Sequence, residues 1–283
     1  MTSPGCSEAA VSESSLWSWP FVQRALLAVV LAAPLLGGLS PLVVGRRLAF
    51  LSAALGQAVL TGVSLGVLLG EPLEAPWGSV FGFSLMMGLL LVFVRRRSRL
   101  SPDTLIGVLL AMTLGLGVCL LVAVTQRFNV HQLEAVMFGS LLTVSVEDLV
   151  LLAAVAVVVL AIVGFKLNEL VLDGVDGALA AAHGIRGAAL EYLFVTLLVA
   201  SIVVSVKVMG ALMVEAMLVV PAAAGRLVAR SARGLFIWSV SVALISGVGG
   251  VLVSTRLNVP SGAAIVLTLS FAFAVLLVAR RRA

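Results

Sequence analysis

The sequence predicts an all-α polytopic membrane protein of about eight or nine transmembrane helices. Three observations carry that prediction. The 283 residues are 61% hydrophobic and only 11% charged, against about 25% charged in an ordinary soluble domain. Their mean hydropathy is +1.22, so the chain cannot cover itself with polar surface. Finally, the apolar residues fall into runs of bilayer length separated by short polar or basic segments.

A run of roughly 20 apolar residues spans the hydrocarbon core as a helix. Nine candidates satisfy this: 21–44, 49–70, 78–94, 103–124, 146–165, 190–206, 208–228, 234–254 and 260–279. The pair around Lys207 has almost no loop, which leaves eight spans and a re-entrant piece as an alternative. Residues 1–16 are polar and Ser-rich, lack the basic start of a secretory signal, and read as a disordered tail. Residues 17–283 read as one membrane domain.

The basic residues set an orientation. With the N-terminus outside, the inner side holds Arg46, Arg47, Arg95, Arg96, Arg97, Arg99, Lys166, Arg186, Arg226, Arg230, Arg233, Arg280, Arg281 and Arg282, which is 14 of the 18. Arg24, Arg127, Lys207 and Arg256 remain outside. Positive residues favour the cytoplasmic side, so the expected topology is N-out and C-in. The same clustering between apolar runs explains the net charge of +5 without nucleic acid, and the expected surroundings are membrane lipid.

Three connections follow from this topology. "GEPLEAPWG" (70–78) is an acidic, Pro-rich outer loop. "TQRFNVHQLEAVMFGS" (125–140) is a longer outer segment with an expected short helix. "FKLNELVLDGVDGALAAAHGIRG" (165–187) is the longest polar inner loop. Its Ala-rich stretch fits either a small amphipathic helix on the cytoplasmic face or a plain linker. Small residues such as those in "ISGVGGVLVS" allow close helix packing in lipid and say nothing of substrate.

Several chemistries are excluded. There is no G-x-x-x-x-G-K-[ST] phosphate loop, and no H-E-x-x-H, nucleophile elbow or Cys/His cluster. Cys6 and Cys119 form no framework. No span carries the paired Asp or Arg residues of a proton-driven pump. The chain is therefore not expected to be an enzyme or to hold a cofactor, and a transporter energised by another subunit leads.

Glu215, in "GALMVEAMLVVPAAAGRL", is the first candidate. An acid at bilayer depth costs a few kcal/mol on insertion scales and marks functional sites by default. It is read as a cation-binding or gating carboxylate, with a protonated or hydrogen-bonded interhelical acid as the structural alternative. Met209, Met213 and Met217 recur at i, i+4 and i+8. Such a stripe can bind copper(I) but is ordinarily adaptable packing. His131 and Glu134 share a face if 130–137 is helical, for a metal at the outer mouth or for a solvated docking surface. Gln57 sits mid-span, where an interhelical hydrogen bond is worth about 1 kcal/mol or less. Lys207 is expected to snorkel to the outer interface. Lys166, Glu169, Asp173, Asp176 and Arg186 read as a solvated face unless a partner docks there.

Several segments together resemble one family, the membrane permeases of ATP-binding-cassette importers for zinc, manganese and iron. "FVQRALLAVVLAAPLLGGLSPLVVGRRLAFLSAAL" resembles the family's first helix and its Arg-Arg-x-x-(Phe/Tyr) turn. "SPDTLIGVLLAMTLGLGV" resembles its Asp-Thr-x-x-Gly segment, and "MFGSLLTVSVEDL" its Leu-Phe-Gly-x-x-Leu-x-Val-x-x-x-Asp-Leu. "VKVMGALMVEAMLVVPAAAGRLVA" and "LNVPSGAAIVL" resemble its Pro-Ala-Ala-x-Ala and Pro-x-Gly-x-x-(Ile/Val)-Val-Leu signatures. The order is the family's, and the resemblance runs from about 21 to 279.

The resemblance implies two permease subunits around one pathway, two cytoplasmic ATPases and an external metal-binding protein. It makes 165–187 the coupling loop, with Asp173, Asp176, His183, Gly184 and Ile185 at the ATPase contact. The pathway would alternate between outward and inward openings as ATP is used.

The chain also departs from the family. Where the second helix commonly reads Gly-Asp-x-x-x-His, this chain has Ser52-Ala53 and Gln57. The Asp near the last helix is Asn258, and Glu215 replaces a hydroxyl residue. Glu215, Gln57 and Asn258 are therefore the expected pathway residues, with Glu215 restoring lost negative charge. A secondary transporter in which Glu215 carries protons, and a degenerate permease or scaffold, remain the alternatives.

Overall fold

The computed structural model describes residues 20–71, 76–98, 100–125, 144–257 and 259–282. The tail 1–16, the outer segment with His131 and Glu134, and Asn258 lie outside them. Every regular element among the described residues is helical: α1 (Pro20–Gly45), α2 (Ala49–Leu68), α3 (Trp77–Arg97), α4 (Pro102–Thr125), α5 (Val146–Phe165), α6 (Leu167–Val175), α7 (Gly177–Ala182), α8 (Gly187–Met209), α9 (Ala211–Val228), α10 (Ala232–Leu257) and α11 (Ser261–Arg282). Nine of these are long and apolar enough to cross a membrane. In lipid the backbone must satisfy its own hydrogen bonds, and helices achieve this within one segment.

The bundle has a centre and two flanks. α1 and α8 are its core, with 72% of each span buried, whereas α4, α5 and α11 are peripheral at 17%, 22% and 22%. One flank is α2, α3 and α4, the other α9, α10 and α11, and α5 closes against α1 and α8. The two flanks meet where α9 packs on α2.

Close backbone approach holds each flank together. A Cβ on Gly62 would sit 2.8 Å from the Val80 Cα, and one on Gly250 would sit 2.5 Å from the Ile265 Cα. Only glycine permits these seams between α2 and α3 and between α10 and α11. Polar side chains inside the bundle are satisfied across helices. The Thr61 hydroxyl reaches the Thr113 carbonyl at 3.0 Å, and the Thr268 hydroxyl reaches the Ser246 carbonyl at 2.8 Å. Pro221 removes one donor from α9. The next amide, Ala222 N–H, donates to Ser40 Oγ at 3.0 Å and ties α9 to α1.

α8 and α9 are two separate helices. Gly210 lies between them at φ +84°, a conformation natural only to glycine, so the chain turns with a single residue. Each of the two is by itself long and apolar enough to be a candidate span. The loop 165–187 is helical rather than a plain linker. Its first part is α6, which buries Leu170 completely. Its Ala-rich part is α7, whose first turn is capped by Asp176 Oδ1, accepting from Ala178 N at 2.9 Å and Leu179 N at 3.1 Å.

Candidate functional site

Glu215 is the fifth residue of α9 and lies against α2. A Cβ added at Gly56 would stand 3.0 Å from Glu215 Oε1 and 3.4 Å from the Ala211 Cβ. Gly56 thus provides the hollow in which the carboxylate rests. It is the eighth residue of the 20-residue α2, which puts Glu215 along the length of that helix and away from its ends. Glu215 has no ion pair or side-chain hydrogen bond with any described residue.

The carboxylate is only half-buried, and its surroundings form a pattern. On α9, Leu212, Glu215, Ala216, Val219, Ala223 and Arg226 are partly or fully exposed, while Met213, Val214, Met217, Leu218 and Ala222 are buried. On α2 the partly exposed stripe is Ala53, Gln57 and Leu60. Gln57, next to Gly56 in the chain, lies on that partly exposed stripe. A lipid-facing carboxylate at this depth is costly. This face accordingly suits a polar path or a protein partner.

Among the described residues no three His, Cys, Asp or Glu side chains come together. Glu215 is thus not part of a cluster of metal-ligating side chains among the described residues. Met209, Met213 and Met217 are 1%, 0% and 0% exposed. They fill the core, with the Met217 Cε 3.0 Å from the site of a Cβ on Gly247. The packing reading of the Met stripe holds. His131, Glu134 and Asn258 fall outside the described residues.

Most charged side chains collect at one end of the bundle, called here the basic end. The Arg46 guanidinium makes a 3.0 Å ion pair with Asp173, donates to the Leu170 carbonyl at 3.0 Å and lies 4.9 Å from the centre of the Phe194 ring. Burial lowers the Arg46 pKa from its ordinary value, and Asp173 partly opposes that. Glu191, at the start of α8, accepts from Arg95 at 2.9 Å and pairs with Arg96 at 3.0 Å. Lys166 pairs with Glu169 on the surface.

Asp173 is thus no solvated residue, as its polar loop suggested. It is drawn inward because Arg46 is buried and needs a counter-charge. Asp176 and His183 remain exposed, Gly184 turns at φ +76°, and Ile185 is partly buried. Exposed Val175 and Leu179, at 83% and 47%, give this loop an apolar outer surface. Arg46 and Glu191 escaped the sequence reading as site residues. The Arg46-Arg47 doublet and an acid at the head of a span were the available signals.

At the opposite end Lys207 does more than snorkel. Its Nζ pairs with Asp148 at 2.8 Å and sits 4.3 Å from the centre of the Trp77 ring, joining α8 to α5 and α3. Asp148 also closes a capping box with Ser145 at the start of α5.

Comparison with known proteins agrees with this architecture. The model of the ABC 3 transport family matches residues 18–280. The chain is 28% identical to the high-affinity zinc uptake system membrane protein ZnuB of Haemophilus influenzae, covering 91% of this chain and 97% of that one. It is 28% identical to the manganese import system permease protein ScaB of Streptococcus parasanguinis, covering 89% and 88%. Among solved structures, PsaBC from Streptococcus pneumoniae in complex with Fab superposes with a TM-score of 0.80 at 25% identity, over 93% of each chain. An inward-facing putative metal-chelate type ABC transporter shares the fold, with a TM-score of 0.72 at 18% identity over 97% of this chain and 91% of that one. The chain belongs to the ABC 3 transport family: it is a multi-pass membrane permease of the ATP-binding-cassette kind and not an enzyme.

Proposed function

We propose that the chain is the permease subunit of an importer of a divalent metal ion, with two copies enclosing one pathway. A separate ATPase drives alternating access, and an external binding protein delivers the ion. The basic end faces the cytoplasm and the N-terminus faces outward, in accord with the positive-inside rule.

One observation carries the reading. A carboxylate without a partner, Glu215, is held on the partly exposed face of α9 and α2, in a chain similar to zinc and manganese permeases. Two copies bring two carboxylates and two Gln57 amides to a shared axis. That donor set is all oxygen where the amides present their carbonyls. Oxygen donors suit manganese, whereas zinc prefers imidazole and thiolate. Manganese is therefore the first substrate to test, ahead of zinc and iron. Asn258, His131 and Glu134 are further candidate contacts along the path.

The ATPase docks on the loop of α6 and α7. Asp176, His183, Gly184 and Ile185 and the exposed Val175 and Leu179 supply the contact, and Asp173 anchors the loop to Arg46. Docking moves α6, and the Arg46 link passes that motion to the α1–α2 turn and thence to Gly56.

The test is elemental analysis of cells with and without the gene, grown in metal-depleted medium and complemented with the wild type or Glu215→Gln. A selective fall in one metal on deletion, uncorrected by Glu215→Gln, supports the reading. Normal metal levels in the deletion strain would sink it. Uptake that survives ATP depletion and collapses with the proton gradient would make Glu215 a proton carrier instead.

A further inference from the structure

A groove of about 470 Å³ opens at the basic end between α1, α6, α9 and α10. Its apolar wall includes Leu42, Leu170, Leu235 and Phe236, and its cations are Arg46, Arg47 and Arg226. Among the described residues no carboxylate lines it. Asp173 and Glu191 line a neighbouring cavity of about 310 Å³ that shares Gly45, Arg46, Arg47 and Gly174 with the groove.

Two of the three cations in the groove have no counter-charge among the described residues. Asp173 answers Arg46, but Arg47 and Arg226 pair with no described residue. Arg46 adds a second feature. Its side chain is 5% exposed, and its Nε has no hydrogen-bond partner among the described residues. A Cβ on Gly174 would lie 3.7 Å from that Nε, and Gly174 lines both the groove and the neighbouring cavity. A buried donor of this kind wants an acceptor.

The position selects the occupant. Arg47 follows the end of the α1 span, and Arg226 lies in the last turn of α9, so the groove lies at headgroup depth. Apolar side chains continue from it along α10, where Leu235 and Phe236 are partly exposed and Ile237 is exposed. A ligand for this place carries a negative head and an apolar body. We propose that the groove is a binding site for an anionic phospholipid, its phosphate held by Arg47 and Arg226 beside the buried Arg46 and its acyl chains against Leu42, Leu235 and Phe236. Basic pockets between transmembrane helices hold lipid headgroups in this way. An acidic protein segment satisfies the cations but gains nothing from the apolar wall.

The experiment is native mass spectrometry of the full chain in detergent with equal amounts of phosphatidylglycerol and phosphatidylcholine. The wild type should retain several-fold more phosphatidylglycerol. The double variant Arg47→Gln/Arg226→Gln should lose that preference, while Arg230→Gln/Arg233→Gln, basic residues of the same end that do not line the groove, should keep it. Ala232→Trp, an exposed lining position, fills the volume without changing charge and should also lower retention. Lipid-free melting temperatures show that each variant is folded. Equal retention of the two lipids, or full retention by either groove variant, would overturn the proposal. So would release of phosphatidylglycerol by inorganic phosphate or by a hexaglutamate peptide at equal concentration, which would mark a site for free anions or for an acidic protein segment.

Discussion

Arg46 and Asp173 form the link between the membrane helices and the loop at the basic end. The pair is 3.0 Å long, with side chains only 5% and 13% exposed. A buried ion pair adds little net stability, because desolvation offsets the attraction. Its geometry nonetheless fixes where α6 sits relative to the α1–α2 turn.

Removing one partner is a different matter, since it strands a buried charge. Asp173→Ala should cost about 3 kcal/mol, read as a lower melting temperature in detergent. Arg46→Lys should not restore the wild type. A lysine ammonium cannot hold Asp173 and the Leu170 carbonyl in one planar fork while lying over Phe194. A wild-type melting temperature for Asp173→Ala would mean that the pair is not closed in the membrane.

Gly56→Ala separates stability from transport. Alanine favours helix by up to about 1 kcal/mol over glycine, and its nearest obstacles are the tip of Glu215 and the Ala211 Cβ. The variant should melt no lower than the wild type. It displaces the carboxylate from its hollow, and uptake should fall about tenfold, equivalent to roughly 1.4 kcal/mol at the site. Metal uptake in the complemented deletion strain measures this. Unchanged uptake would remove Gly56 and Glu215 from the pathway.

These two relationships show what the sequence could and could not disclose. The spans were legible because a bilayer demands runs of about 20 apolar residues, and the runs match nine helices. Glu215 was legible as an oddity, being an acid in an apolar run. Its seat on Gly56 was not, because depth along two separate helices is set by packing. The inner helices were half legible: the Ala run favours helix, but Asp173 read as solvated. What buries the loop is Arg46, whose contact with Leu170 spans 124 residues of sequence. The joint at Gly210 was ambiguous because one glycine leaves no loop signal. Its positive φ settles the turn.

The Met stripe offers a clean negative test. Met209, Met213 and Met217 are fully enclosed in the core, so no thioether faces the open side of α9 or the end of α8. Replacing each by Leu conserves volume and should cost less than about 1.5 kcal/mol. Cellular copper and metal uptake should both stay at wild-type levels. A copper deficit in the triple Leu variant would show that the stripe opens toward a pathway in some other state of the transporter.

Lys207 presents the opposite case, a cation whose partners all come from other helices. It pairs with Asp148 of α5 at 2.8 Å and lies over Trp77 of α3. Its side chain is 36% exposed, so solvent and salt weaken the charge pair. A double-mutant cycle of Lys207→Met and Asp148→Asn should give a coupling of about 1 kcal/mol or less, falling as salt rises. Trp77→Leu should cost a further contribution of roughly 0.5–1 kcal/mol from the ring, insensitive to the Asp148 substitution. Because Asp148 also caps α5 through Ser145, Asp148→Asn alone should cost more than Lys207→Met alone. The reverse order would mean that Lys207 contributes chiefly by packing on Trp77 and that the carboxylate serves only as a cap.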